Sequence, residues 1–201
     1  MSQPLDQYAI IDPLGKQRED LGEFFLANPW QQDDHNLSSY ERNRLLLNSG
    51  DAKFLDVSHL SQTDLDSDSR SAIITDLNND GREDLVVRSV GGGPLRVFRN
   101  ALPVKHWLKV SLRGTRSNSL GLGAVVRVVV GEMEIARTMF PVSAYQSQAP
   151  SLLYFGLADA ADVESLTIQW PSGSKTQLQG LPVDQHIVID EGGEWSTYPG
   201  E

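Results

Sequence analysis

From Arg44 to Asp190 the sequence is a succession of short β-rich runs, each closed by a turn rich in Gly, Pro, Asn or Ser. That pattern points to an all-β sandwich or barrel and leaves little room for another fold class. Arg44–Asn48 and Lys53–Val57 flank the turn Ser49-Gly50-Asp51, and Ser71–Thr75 and Leu85–Val90 flank a polar loop. Gly91-Gly92-Gly93-Pro94 turns into Leu95–Arg99, and Ala101-Leu102-Pro103 is the expected boundary between two β units. Beyond it come His106–Arg113, Gly123–Val130, Glu134–Phe140, Leu152–Phe155, Val163–Trp170, Lys175–Leu178 and His186–Asp190. One helix is expected upstream, with Asp12 as N-cap, Pro13 at the first helical position and Asn28-Pro29 as the stop. Leu14, Leu21, Phe24 and Phe25 share its face, and Gln31–Ser39 reads as a polar linker.

A chain of 201 residues buries enough surface for a core without staples. It contains no cysteine, which excludes a disulfide scaffold, a thiol nucleophile and a cysteine zinc site. The formal net charge of −10 opposes binding to a nucleic-acid backbone or an anionic membrane. No window reaches the ~18 apolar residues of a membrane span, and Met1–Ile10 lacks the basic and apolar regions of a signal peptide.

The negative charge is concentrated. Residues 51–84 carry nine acidic side chains against Lys53, Arg70 and Arg82. Within them Asp76-Leu77-Asn78-Asn79-Asp80-Gly81-Arg82-Glu83-Asp84 reads D-x-N-x-D-G-x-x-D. Side chains of Asp76, Asn78, Asp80 and Asp84, with the Arg82 backbone carbonyl, place oxygens at alternating positions suited to a hard cation. Gly81 permits the sharp turn, as in an EF-hand loop. Val87 stands where an EF-hand has its bidentate Glu, and the flanks read as strands. The expectation is therefore a short Ca2+ loop closing a β-hairpin, with calcium favoured over magnesium. Asp64-Leu65-Asp66-Ser67-Asp68 looks like half of a second loop but lacks its glycine, and reads as a solvated turn.

Tyr40–Leu45 followed by Asp76–Leu85 resembles one FG-GAP/VCBS-type repeat of integrin-like propellers. Trp107-Leu108, Leu112-Arg113-Gly114, Ser117-Asn118, Gly121-Leu122-Gly123-Ala124, Ser147-Gln148, Phe155-Gly156-Leu157 and Trp170-Pro171-Ser172-Gly173 resemble the ASPIC/UnbV domain of the cartilage acidic protein family. That resemblance implies a secreted or cell-envelope setting, calcium in the repeat, and, for some relatives, a place in enediyne biosynthetic clusters. A lone propeller blade exposes its edges, so it is expected to pack on the second β unit, the helix or another chain.

The expected organisation is mainly β. It has an N-terminal helix and linker (1–39), one calcium-loop β repeat like a propeller blade (40–103), a β-sandwich-like ASPIC/UnbV domain (104–192) and a tail (193–201). No H-E-x-x-H or G-x-S-x-G occurs, and His35, His59, His106 and His186 lie far apart in sequence. The expected function is a noncatalytic calcium-binding module that recognises a protein or glycan outside the cytoplasm. The rival is an enzyme or accessory protein of secondary metabolism; nucleic acid is not expected as a partner.

Overall fold

The computed structural model describes residues 42–50, 52–65, 69–89, 94–141, 144–145 and 147–199. The helix expected between Asp12 and Asn28, its linker, Asp66–Asp68 and Gly91–Gly93 lie outside the described residues. The described part is mainly β. Its strands are β1 (Leu46–Gly50), β2 (Lys53–Asp56), β3 (Ser69–Thr75), β4 (Asp84–Ser89), β5 (Arg96–Phe98), β6 (His106–Arg113), β7 (Val125–Val130), β8 (Met133–Thr138), β9 (Leu153–Ala158), β10 (Asp162–Gln169), β11 (Lys175–Pro182), β12 (Gln185–Asp190) and β13 (Trp195–Thr197).

Two compact units are distinguished. The first comprises the described residues up to Ala72 together with Val86–Phe98; the second comprises Ile73–Leu85 and Arg99 onward. The loop between β3 and β4 thus belongs to the second unit, although it precedes the expected boundary at Ala101–Pro103.

In the first unit β1 and β2 pair antiparallel, with Leu47 opposite Leu55 and an irregularity between Asn48 and Gly50. Ser49 and Gly50 therefore extend β1 instead of forming the turn, and Gly50 and Ala52 take positive φ values of 86° and 56°. Ser58 Oγ accepts the Leu45 amide at 2.7 Å and anchors the strand entry. Strands β3, β4 and β5 form a sheet in that order.

The second unit is a sandwich of two four-stranded sheets, ordered β11-β10-β7-β8 and β13-β12-β6-β9. In β7, Val126, Val128 and Val130 are buried while Arg127 faces out, the alternation of a strand with one wet face. They meet Leu108, Val110, Phe155, Leu157, Ile187 and Ile189 from the other sheet in one core, with Leu166 and Ile168 of β10. Each such side chain contributes about 1.5–3 kcal/mol by leaving water. Trp170, expected in the core, is 2% exposed there, and its Nε1–H donates to Thr176 Oγ1 at 2.9 Å. β12 runs parallel to β6, the one parallel pairing of the second sheet.

Strand β6 departs from one-sided burial. Leu108, Val110 and Leu112 face the core, yet Lys109 on the opposite face is also buried, as are His186 and Val188 beside it on β12. The outer face of this sheet is therefore covered around Lys109, His186 and Val188, and what covers it there positions the site.

Candidate functional site

The 76–84 loop lies on the outer face of β6. Gly81 has φ +82°, and a β-carbon there would fall 2.1 Å from Trp107 Nε1, so the turn glycine is also required by close approach to the indole. Asn79 is left-handed as well, at φ 57°. Asp76 accepts the backbone N–H of Asp80 at 3.1 Å through Oδ1 and of Gly81 at 2.7 Å through Oδ2. The Asp76 side chain thus satisfies two amides at the bend of the loop backbone. Tyr154 Oη accepts the Asp76 N–H at 3.2 Å and fixes the loop to β9.

Lys109 reaches the loop from below. Its Nζ lies 3.1 Å from Asp76 Oδ2 and donates to Asn79 Oδ1 at 3.2 Å. The same ammonium stands 4.7 Å from the Trp107 ring centroid and 6.0 Å from that of Tyr154. In this dry setting aromatic faces and a carboxylate together replace the lost hydration of the cation.

The five residues expected to hold calcium lie in this one loop, and each acidic side chain among them has partners within the chain. Asp80 accepts Asn78 Nδ2–H at 2.9 Å and the Arg82 amide at 3.0 Å, and it pairs with the Arg82 guanidinium. The Arg82 guanidinium and the Asn78 amide hold the Asp80 carboxyl well below the usual carboxylate range. Arg82 also donates to the Leu102 carbonyl at 2.8 Å. Asp84 accepts the Leu77 amide at 3.2 Å and the Asn100 amide at 2.7 Å. Among the described residues no group of three or more His, Asp or Glu is placed to hold a metal ion. In this structure the side-chain oxygens of Asp76, Asp80 and Asp84 are held by backbone amides, by Asn78 and by the cations of Arg82 and Lys109. Of the upstream acidic run Asp64 is described: it accepts Arg42 Nε–H at 2.7 Å, and that hydrogen bond lowers its pKa; Asp66 and Asp68 lie outside the described residues.

Beside the loop lies a cleft of about 380 Å³, whose lining includes Thr75, Asn79, Ser111, Tyr154, His186 and Tyr198. Its floor follows from strand register. Tyr154 on β9 pairs with Lys109 on β6, which pairs with His186 on β12. Tyr198, just beyond β13, donates its amide to the His186 carbonyl at 2.8 Å. One row of aromatic and basic side chains thus runs from β9 across β6 and β12 to the residue that follows β13. The His186 and Tyr198 rings stack at 4.2 Å with 9° between planes. Tyr198 remains 43% exposed, so its outward face is open to a ligand. Ser111 Oγ is 2.9 Å from His186 Nε2, within hydrogen-bond distance. Neither Lys109 nor this row was foreseen from sequence.

Glu191 was also missed. Its Oε2 accepts the amides of Thr115, Arg116 and Ser117 at 2.8, 2.7 and 2.8 Å. Its Oε1 accepts hydroxyls from Ser117 and Ser174, both at 2.9 Å, and from Ser172. Burial alone would raise its pKa; the Ser117 amide, Ser172 hydroxyl and the Thr115 and Arg116 amides outweigh burial and hold it far below the ordinary carboxylate range. The nearby Gly121-Leu122-Gly123 segment is a turn. Gly121, at φ +63°, has no room for a β-carbon beside Leu112, and the Leu122 amide donates to Asn118 Oδ1 at 2.7 Å. Ser117, Ser172, Ser174 and the 115–117 amides therefore build a structural knot around the Glu191 carboxylate.

These features define a two-sheet β module carrying a charge-paired hairpin loop on one outer face. Residues 114–195 match the family model described as "ASPIC and UnbV". That segment holds the Glu191 knot, β7 to β12 and the turns around Gly121 and Trp170. No curated protein matches the chain. Among solved structures, a protein from Eubacterium rectale determined by NMR is 12% identical, with 51% of this chain and 95% of that chain covered and a TM-score of 0.30. That score is too low to support an argument. Among the described residues no helix is long and apolar enough to cross a membrane.

Proposed function

We propose that this protein is a noncatalytic β module that binds a glycan or protein outside the cytoplasm, and that the cleft beside the 76–84 loop is its recognition surface. The observation that carries this reading is the row Tyr154, His186 and Tyr198, with the open face of Tyr198 and the hydroxyls of Thr75 and Ser111 around it. Aromatic faces among hydroxyl donors suit a glycan, whose C–H faces stack while its hydroxyls hydrogen-bond. The extracytoplasmic setting follows the resemblance to secreted relatives. A glycan array probed with the whole chain and with Tyr198→Ala tests it. Retained oligosaccharides should be lost by the variant with its melting temperature little changed. A wild-type chain that retains no glycan, or a variant that retains the same set, contradicts the glycan form of the proposal.

A second reading rests on Ser111 and His186. A hydroxyl 2.9 Å from an imidazole nitrogen is the start of a nucleophile–base pair, which fits the rival assignment to an enzyme of secondary metabolism. Ser111 lies within a strand and not on the sharp strand-to-helix turn that presents such a serine in hydrolases. Hydrolysis of p-nitrophenyl acetate abolished by Ser111→Ala would establish this reading; equal background rates for both proteins would remove it.

A further inference from the structure

We propose that the Lys109 ammonium is the resident cation of the 76–84 loop, so that a turn of cation-binding shape closes without a metal ion. Calcium takes six to eight oxygens at about 2.3–2.6 Å. Here Asp76 turns both oxygens to the Asp80 and Gly81 amides, and its Oδ2 also faces the Lys109 Nζ. Asp80 is matched by Arg82 and Asn78, and Asp84 by the Leu77 and Asn100 amides. The side chains of Lys109 and Asp76 are 1% and 0% exposed, so their charges neutralise each other away from water.

Placement of the cation follows from the sheet. Lys109 occupies the outer face of β6 between Tyr154 and His186, and its ammonium emerges beneath Asn79 and Asp76. A divalent ion entering beside Asp76 would face this buried positive charge a few ångströms away. Lys109 would have to be expelled from between Trp107 and Tyr154 to make room. Asp76 thus has the role of an anchor for a side chain carried by the sandwich. Asn79, which occupies a position between the expected ligands in sequence, supplies the second oxygen.

The experiment is a calorimetric calcium titration of the whole chain, joined to thermal melting in EDTA and in millimolar calcium. Wild type is expected to give no saturable heat and the same melting temperature in both buffers. Lys109→Met should melt well below wild type, because it leaves Asp76 charged and buried without its partner. Adding Asp76→Asn to Lys109→Met removes that charge and should recover part of the loss; this double variant keeps the test informative if the single variant does not fold. Stoichiometric calcium binding by wild type with a raised melting temperature would overturn the proposal. So would a Lys109→Met protein as stable as wild type, or a double variant less stable than the single.

Discussion

A β-carbon placed on Gly81 would stand 2.1 Å from Nε1 of Trp107, so loop and sheet are in direct contact at the loop's sharpest bend. The glycine at the sixth position of the motif therefore answers two demands. One is the left-handed backbone at φ +82°; the other is the absence of space above the indole.

Gly81→Ala should accordingly be more harmful than a turn substitution of the same type in the open. A left-handed alanine costs about 1–2 kcal/mol, and overpacking against the indole adds roughly 1–3 kcal/mol. Gly50 has a similar φ of +86° with nothing within 4 Å of its would-be β-carbon. Urea unfolding of Gly81→Ala and Gly50→Ala should show the first to be clearly the less stable. Equal losses would mean that the Trp107 contact is dispensable.

Glu191 predicts an acid sensitivity. Its folded pKa lies below the unfolded value of about 4.3. The stability it contributes is fully present above the unfolded pKa and is lost as pH falls toward the folded value. Melting temperature measured from pH 6 to pH 2 should fall more steeply for wild type than for Glu191→Gln, which should start lower at pH 6. The exposed Glu194 is the control, and Glu194→Gln should track wild type throughout. Parallel curves for wild type and Glu191→Gln would show that the carboxylate charge is not what the three amides hold.

Much of the sandwich was legible because its strands alternate. Val126, Val128 and Val130 around Arg127 mark β7, and its partner β10 was expected within one residue at each end. β13 was missed because Trp195-Ser196-Thr197 is too short to show a period. β11 continues beyond the expected Leu178 to Pro182, through Gly180, a residue that normally reads as a break. The loop's turn was legible in Gly81 and its acids, whereas the direction of each carboxylate was not. For Asp76 that direction depends on Lys109, a residue which on an alternating strand reads as solvent-facing and which is buried by the loop above it together with Trp107 and Tyr154. Glu191 was invisible for a similar reason. Its partners come from the 115–117 and 172–174 turns, and no local pattern joins them to an acid after β12.

Docking of the 76–84 loop on the outer face of β6 makes it part of the sandwich's cooperative structure. Native-state hydrogen exchange of the whole chain measures this directly. The Gly81 amide, bonded to Asp76, and the Asn100 amide, bonded to Asp84, should open with free energies close to those of core amides in β6 and β12. Lys109→Met should collapse protection at both loop amides before it affects β7 and β10. Loop amides that exchange in wild type as fast as an unprotected turn, while β6 stays fully protected, would contradict the docked loop.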